Sequence, residues 1–334
     1  MNDMHPCASP TEVARPYGRA ACNTTPTMWT LLELLTGLFV YGTAIEPRFV
    51  VRNNETATIP NLPATWEGQR IAVFADMQVG MWWANTDAAR RVVRQVVDLR
   101  PAAVLIAGDF VYNADSSVDD QMREVVSILQ PILSARIPTY AVLGNHDYSL
   151  MNEHSDQENG VARRVRIALD SAGVHMVDNR VTSLRSPADT LVATGDGDDT
   201  IPQTAAPESL FIVGIGEKWA KNDHGVQTLS HVPAGAARVV FMHDPDSFAH
   251  LPGGEVPFAV AAHTHGMQIG VPFVSNWLWR HRFSDEGSGV EGWIAHYGEP
   301  GNRLYVNRGI GFSVVPARVH AAPELTVFTL TRGK

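Results

Sequence analysis

Short apolar runs alternate with amphipathic stretches through the first half of the chain. Residues 70–74, 102–106 and 139–142 form apolar runs that predict buried strands. Between them, residues 86–99 and 122–133 carry apolar side chains at helical spacing, so each stretch predicts a helix with one apolar face. Strands that alternate with helices in this way are typical of βαβ units and of a mainly parallel sheet.

The second half of the chain is richer in strand patterns. Residues 160–172 predict another helix, and residues 186–207, rich in Asp, Thr, Gly and Pro, predict a surface insertion. Further apolar runs predict strands at residues 210–214, 237–242, 258–262, 303–307 and 325–330. We expect the two halves to pack as two sheets in one domain, with the helices outside.

The N-terminal region differs from the rest of the chain. Residues 1–26 are aperiodic and contain prolines, which predicts a flexible arm. Cys7 and Cys22 in this arm are expected to be unpaired, with a disulfide between them as the alternative. Residues 28–44 are apolar apart from Glu33 and scattered Thr and Gly, but the run is shorter than the ~20 residues that span a bilayer. It fits an interfacial helix, an uncleaved anchor or signal segment, or a plain core helix.

The boundary between this region and the folded part is expected near residue 45. Residues 1–45 then form an arm with an apolar segment that associates with a membrane, and residues 46–334 form the domain. We expect a membrane-associated or cytoplasmic protein, and export is also open.

Composition narrows the class of protein. The 334 residues are 45% hydrophobic and 18% charged, which suits a globular chain rather than a disordered one. The formal net charge of −9 argues against a nucleic-acid partner, which would require a basic surface. An anionic small-molecule substrate remains compatible, because bound divalent metals reverse the local field. The sequence does not indicate an oligomeric state.

Polar side chains follow the predicted strands at the points where the strands end. They are Asp76, Gln78, Asp109, Asn145, His146, His243, His263 and His265. A single Asp after a strand is usually a turn or helix cap, and a single His is usually a core residue. Together, the oxygen and nitrogen donors form a set that suits Mn, Fe, Zn, Co or Ni better than Ca. The set is too large for one ion with a reactive water, so it predicts two metals that share a carboxylate.

These motifs, in this order, resemble those of a known superfamily. The series is Asp76-x-Gln78, Gly108-Asp109, Gly144-Asn145-His146-Asp147, His243 and His263-Thr264-His265-Gly266. It resembles the calcineurin-like metallophosphoesterase superfamily. Further motifs resemble its YkuE-like branch, and they are Tyr41-Gly42, Ile45-Glu46-Pro47-Arg48, Tyr305-Val306-Asn307-Arg308-Gly309 and Pro323-Glu324-Leu325. The resemblance extends from about residue 41 to residue 330.

The resemblance implies a fold, a metal centre and a reaction. The implied fold is a four-layer α/β/β/α sandwich with the centre in the loops between the sheets. One metal is expected on Asp76, Gln78, Asp109 and His265, and the other on Asp109, Asn145, His243 and His263. Asp109 bridges the two ions, which are Mn, Fe, Zn, Mg, Co or Ni. A hydroxide between them is expected to attack a phosphodiester, phosphomonoester or diphosphate, while His146 assists the leaving group.

Gln78 departs from the family pattern, which usually has histidine at this position. An amide oxygen is a weaker donor than imidazole to borderline metals, so a looser site tilted towards Mn or Mg is expected. Some branches that cleave diphosphate bonds are similar in carrying Gln here. The alternative hypothesis is a metal-binding regulatory protein with weak or no catalysis.

Aromatic residues are crowded after the last histidine motif. They include Trp277, Trp279, Trp293 and Tyr297, and next to a phosphate site they indicate an acyl chain, a nucleobase or a membrane surface. They could equally cover a small part of the core. Trp279 and Arg308 are the candidate substrate-binding residues, although the arginine could simply be solvated. Relatives of the superfamily include UDP-2,3-diacylglucosamine hydrolases, which favours a lipid-linked or nucleotide substrate.

Overall fold

The computed structural model describes residues 28–112, 117–154, 160–187, 209–271 and 274–333. The expected arm, with Cys7 and Cys22, and nearly all of the expected insertion at residues 186–207 lie outside these ranges. The chain divides into two units, one that ends at Leu38 and one that begins at Phe39.

The N-terminal apolar segment is a helix, α1 (Met28–Val40), and none of its side chains is buried. A π-helical turn (Tyr41–Ile45) and a 3₁₀ turn (Glu46–Arg48) continue it. The whole stretch Met28–Arg48 has 21 residues and is long and apolar enough to cross a membrane. The helical stretch is therefore longer than the apolar run alone suggested.

The first sheet has six strands in the order β1-β12-β2-β3-β4-β5. The strands are β1 (Val51–Pro60), β2 (Arg70–Phe74), β3 (Ala103–Ala107), β4 (Thr139–Val142), β5 (His175–Met176) and β12 (Glu324–Gly333). Neighbouring strands are parallel except β12 and β2, which are antiparallel. The carboxyl ends of β2, β3 and β4 therefore lie side by side at one edge of the sheet.

The second sheet has the order β10-β11-β9-β8-β7-β6. Its strands are β6 (Arg180–Leu184), β7 (Leu210–Gly214), β8 (Arg238–Phe241), β9 (Ala259–Ala261), β10 (Gly292–Ile294) and β11 (Leu304–Val306). The central strands β7, β8, β9 and β11 are parallel, and antiparallel strands close each edge. The ends of β7, β8 and β9 are therefore also adjacent.

Buried apolar side chains form three layers around the sheets. The first lies between one face of the first sheet and the helices α2 (Thr86–Leu99), α3 (Val118–Ser134) and α4 (Val161–Ala172). The second, which includes Val73, Leu105 and Ile212, lies between the two sheets. The third covers the outer face of the second sheet, where α5 (Gly225–Leu229) and short turns pack. These layers confirm the expected α/β fold with two packed sheets and outer helices.

Several predicted boundaries shift in the structure. Helix α3 begins at Val118, four residues before the predicted start, because Asp119 and Asp120 belong to its exposed first turn. Helix α2 keeps its predicted bounds, and the Asn85 amide before it donates to Pro47 O and Ile310 O instead of capping the helix. Strand β1 was not among the predicted strands, since most of its side chains are exposed at the sheet edge.

Candidate metal centre

The predicted site residues meet where the strand ends of the two sheets face each other. Asp76, Gln78 and Asp109 follow β2 and β3, Asn145 follows β4, and the histidines follow β8 and β9. Positive φ angles of 50–69° are shared by Asp76, Gln78, Asp109, His263 and His265. Side chains other than glycine rarely adopt this left-handed backbone, which costs about 1–3 kcal/mol per residue. The surrounding loops therefore hold these five donors in place.

Asp76, Asp109 and His265 form one donor group. One ligand atom from each lies within 4.8 Å of the others, and all three side chains are buried. His265 Nε2 is 3.7 Å from Asp76 Oδ1. Gln78 joins the group by donating from Nε2 to Asp109 Oδ2 at 2.7 Å, which leaves its Oε1 free of that contact.

Asn145, His243 and His263 form a second donor group around the same Asp109. Asn145 Oδ1 is 3.0 Å from both His243 Nε2 and His263 Nδ1. The two ring nitrogens are 3.2 Å apart, and His243 Nε2 is 3.4 Å from Asp109 Oδ2. The Asp109 carboxylate thus lies against both groups.

The donor atoms of the first group fit a cation. Both carboxylate oxygens of Asp76 and the amide oxygen of Gln78 are buried, and none has a hydrogen-bond partner within the described parts of the chain. Buried oxygens of this kind are costly unless a donor or a cation satisfies them. Three orphan oxygens near a second carboxylate and an imidazole fit a divalent metal.

Burial sets the protonation of the histidines. It lowers the pKa of His263 to about 3, and burial together with the Arg318 guanidinium lowers the pKa of His265 well below its usual value. Both rings are therefore neutral, the form that binds metals. His243 differs, since burial alone would lower its pKa but the Asp109 carboxylate raises it well above the usual value.

The pKa values of the two aspartates in the first group shift in opposite directions. Burial raises the pKa of Asp76 to about 7, and the nearby Asp109 charge adds to this effect. Burial would also raise the pKa of Asp109, but attraction to His243 and His146 holds it below the usual range. Asp109 is therefore the charged member around which the two groups are arranged.

His146 lies beside both groups without joining either through its ring. Its backbone N–H donates to Asp109 Oδ1 at 3.0 Å, while ring Nδ1 is 2.7 Å from Tyr112 O and the ring stacks on the Tyr112 ring. Because a carbonyl oxygen only accepts, Nδ1 carries the proton and Nε2 is the atom left for other chemistry. Burial lowers the pKa of His146.

Asp147 is a fixed support rather than a free carboxylate. Its Oδ2 accepts from Asp109 N and Gly144 N at 2.9 Å, and its Oδ1 accepts from Phe110 N at 2.9 Å and Val111 N at 3.2 Å. One side chain therefore joins the loop after β3 to the loop after β4. Asp147 therefore orients the loops that carry Asp109 and Asn145.

Gly144 and Gly309 allow the loops to approach the aspartates. A Cβ on Gly144 would lie 2.2 Å from Asp109 Oδ1, and one on Gly309 would lie 2.1 Å from Asp76 Oδ2. Neither distance is compatible with a side chain, so both positions require glycine.

Two buried ionisable residues near the centre were not predicted from the sequence. Glu217 follows β7 and is fully buried, with Oε1 accepting from Trp219 N at 3.1 Å. It could have been found by extending the strand-end rule to residues 210–214. Arg318 is also fully buried, but it lies in a segment without periodicity and carried no signal.

The two candidate substrate residues lie in different surroundings. The half-buried ring of Trp279, on α6 (Ser275–Arg282), meets the His263 ring edge-on with centroids 6.4 Å apart. The Arg308 guanidinium pairs with Glu324 at 2.8 Å and with Glu291 at 3.3 Å. Trp279 therefore borders the centre, whereas Arg308 is already held by two carboxylates.

Comparison with known proteins gives consistent relatives. A Bacillus subtilis (strain 168) metallophosphoesterase, YkuE, is 24% identical over 88% of this chain and 90% of its own length. The UDP-2,3-diacylglucosamine pyrophosphatase LpxG of Chlamydia trachomatis serovar D is 24% identical over 86% of this chain and 91% of its own. The phosphodiesterase YaeI of Escherichia coli (strain K12) is 25% identical over 70% of this chain and 72% of its own.

The family itself is identified over more than half of the chain. Residues 69–267 match the calcineurin-like phosphoesterase family, and this range contains every donor of both groups. The fold, the convergent donors and the named relatives agree with that match. The chain belongs to the calcineurin-like phosphoesterase family of metal-dependent hydrolases.

Proposed function

We propose that this protein is a di-metal phosphoesterase that cleaves a phosphodiester or diphosphate bond in a lipid-linked or nucleotide substrate. The observation that carries the proposal is the arrangement of two donor groups around one Asp109 carboxylate. One carboxylate shared by two sets of oxygen and nitrogen donors would suit a pair of divalent ions.

The metals are assigned to the two groups. Asp76, Gln78, Asp109 and His265 would hold one, and Asp109, Asn145, His243 and His263 would hold the other. The orphan oxygens of Asp76 and Gln78 support the first assignment, and the convergence on Asn145 Oδ1 supports the second. When bound, two divalent ions lower the pKa of a shared water and neutralise charge on the phosphoryl oxygens.

His146 is assigned to the leaving group. Its Nδ1–H is held by Tyr112 O, so Nε2 is the atom that can meet the departing oxygen. Burial disfavours the charged ring, while an anionic phosphoester beside it favours protonation. His146 then donates a proton from Nε2 as the bond to the leaving oxygen breaks.

Aromatic side chains support a substrate with an apolar or planar group. Trp219 and Trp279 both meet the His263 ring edge-on, at 4.8 Å and 6.4 Å between centroids. Trp277 and Phe283 are 59% and 61% exposed at either end of this aromatic segment. An acyl chain or a base bound against this surface would extend directly from the phosphoryl group at the metals.

Membrane association is proposed from two features, each considered by itself. The helix α1 exposes all of its apolar side chains. The helix α6 buries none of its residues and ends with Arg280, His281 and Arg282 next to exposed Trp277. Tryptophan with basic residues is typical of segments at an anionic bilayer surface.

The decisive test combines metal content with substrate class. The full chain, purified in detergent and stripped of metal, is assayed with Mn, Zn, Mg, Co, Ni or Fe(II). Substrates are bis-p-nitrophenyl phosphate, p-nitrophenyl phosphate, a nucleoside diphosphate-linked lipid and a phosphopeptide. We expect two metals per chain and turnover of the diester or the diphosphate.

Three results would contradict the proposal. No turnover with any metal would favour a regulatory metal-binding protein. Turnover of the phosphopeptide alone would overturn the substrate class. A metal content of one per chain in the active protein would overturn the di-metal assignment.

A further inference from the structure

Arg318 is a fully buried arginine that is held almost entirely by backbone carbonyls. Its guanidinium donates to Gly311 O at 2.9 and 2.6 Å, to Arg308 O at 3.1 Å and to Ala321 O at 2.7 Å. Within the described ranges, no carboxylate lies within salt-bridge distance of it, and Asp76, Glu46 and Glu324 attract its charge from farther away. A buried charge of this kind is expensive, and an apolar side chain would ordinarily serve packing better.

The same guanidinium faces the first donor group. Its Nη2 is 3.3 Å from His265 Nδ1, and His265 O lies 3.5 Å from Nη1. The nearby loop that it holds also fixes Asp76, since Gly311 N donates to Asp76 O at 2.6 Å. Arg318 therefore touches one donor directly and the other through the loop at residues 308–311.

The segment that follows α1 holds Arg318 from the other side. The buried Glu46 carboxylate accepts from His320 N at 2.9 Å and from Ala321 N at 2.6 Å. Gly42 O accepts from Arg318 N at 2.8 Å, and a Cβ on Gly42 would lie 2.7 Å from the Val319 side chain. The turn carrying Arg318 is thus fixed between residues 42–46 and the donor group.

We propose that Arg318 and Glu46 are positioning residues that set the geometry and affinity of the metal site formed by Asp76, Gln78, Asp109 and His265. The Tyr41–Arg48 segment then belongs to the catalytic scaffold, although in sequence it continues the apolar helix. A guanidinium supplies five donors in a fixed plane, which explains why arginine rather than lysine occupies this position. This inference rests on the proposed di-metal centre.

The experiment compares five variants of the full chain with the wild type, one of which, Asp76→Ala, serves to identify the spectrum of the first site. Arg318→Lys retains the charge but loses the planar set of five N–H donors, and Arg318→Met loses both. Glu46→Gln removes one acceptor from the turn that carries Arg318. The matched control is Glu67→Gln, because Glu67 also accepts from a backbone N–H, that of Arg332, but on the exposed surface.

The readouts are Co(II) titration with the visible spectrum of each site, total metal content and circular dichroism. An Asp76→Ala variant identifies the spectrum of the first site. In Arg318→Lys, we expect the affinity of that site to fall about 10- to 100-fold, while the second site is unchanged. Glu46→Gln should lower the affinity of the same site by a smaller factor, and Glu67→Gln should match the wild type.

The outcomes separate this inference from the proposed function. Wild-type protein that binds fewer than two ions would overturn the di-metal assignment itself. Two ions in the wild type with unchanged affinities in Arg318→Lys and Glu46→Gln would overturn the positioning role alone. An equal loss at both sites with altered circular dichroism would show a purely structural role. If neither Arg318 variant folds, the folded Glu46→Gln protein decides the matter by the same titration.

Discussion

At the scale of single residues, neighbours in the chain have different surroundings. Asn145 directs Oδ1 towards two histidine nitrogens, while the next side chain, His146, directs its ring to Tyr112. The 3₁₀ turn formed by Asn145–Tyr148 separates the two side chains, and Asp147 fixes the turn. This separation allows metal binding and proton transfer to be tested independently.

Separate substitutions of His146 and Asn145 should affect turnover and metal occupancy differently. His146→Ala is expected to lower kcat about 10²- to 10⁴-fold, because a positioned proton donor contributes that much, and to retain both metals. Asn145→Ala is expected to lose occupancy of the His243 and His263 site. Metal analysis and steady-state kinetics on each variant check this. Equal metal loss in both variants would contradict the division of roles.

Gln78 offers a test of ligand identity. Gln78→His should retain or raise activity and shift the metal preference towards Zn or Fe, because imidazole is a better donor than an amide oxygen to these ions. Histidine also tolerates the left-handed backbone at φ 50° better than most residues. Competition between Mn and Zn, measured by metal content, is the readout. An unchanged preference would count against Gln78 as a ligand.

Asp147 should act on stability as well as on the site. In the wild type, backbone N–H groups donate to an Asp147 carboxylate oxygen. In Asp147→Asn, the amide N–H₂ would face one or more of these donors instead of accepting from them. We expect a loss of about 1–3 kcal/mol in the free energy of unfolding, which urea denaturation of the metal-free protein measures. Asp119→Asn, a change on an exposed helix surface, is the control and should be nearly neutral.

At the scale of elements, the strands carrying the donors were predictable because each is an apolar run followed directly by polar residues. Strand β1 was not, since only Ala57 and Ile59 among its residues are buried and its partner is β12, at the other end of the chain. Arg318 was missed for a related reason, because its partners lie in separate loops. The ligand roles themselves remain predictions.

The helix α1 should be separable from catalysis, whereas the turns after it should not. Removing residues 1–38 leaves Gly42 and Glu46 in place, so turnover of bis-p-nitrophenyl phosphate should persist while the protein leaves the membrane fraction. Removing residues 1–48 also removes the contacts to the Arg318 turn and should abolish activity. Sedimentation and kinetics on both deletions provide the check. Unchanged sedimentation of the shorter deletion would refute a role of α1 in membrane binding.

At the scale of the whole molecule, the candidate metal centre lies where the two sheets meet. The first sheet supplies the carboxylates and amides, and the second supplies the three histidines of the donor groups. Without metal, Asp76 and Asp109 are buried close together, and burial together with the Asp109 charge raises the pKa of Asp76 to about 7. Bound cations should therefore stabilise the packing of the sheets as well as the reaction.

Metal removal should lower thermal stability. Each site filled at 100 times its Kd contributes about 2.7 kcal/mol, which for two sites corresponds to a Tm shift of roughly 10 °C. Scanning calorimetry before and after chelation, with restoration by added Mn or Zn, measures this shift. A Tm that is insensitive to chelator would show that the domain does not depend on its cations for stability.

The left-handed backbone of the donors has a consequence for engineering. Glycine would relieve the strain at Asp76, Gln78, Asp109, His263 and His265, so the sequence that suits this backbone best is one that binds no cation. An attempt to raise thermal stability by choosing residues that suit the backbone conformation would replace the donors at these five positions first. A thermostable variant that still hydrolyses phosphoesters must keep them fixed and gain its stability elsewhere, for instance on the exposed faces of α2, α3 and α4.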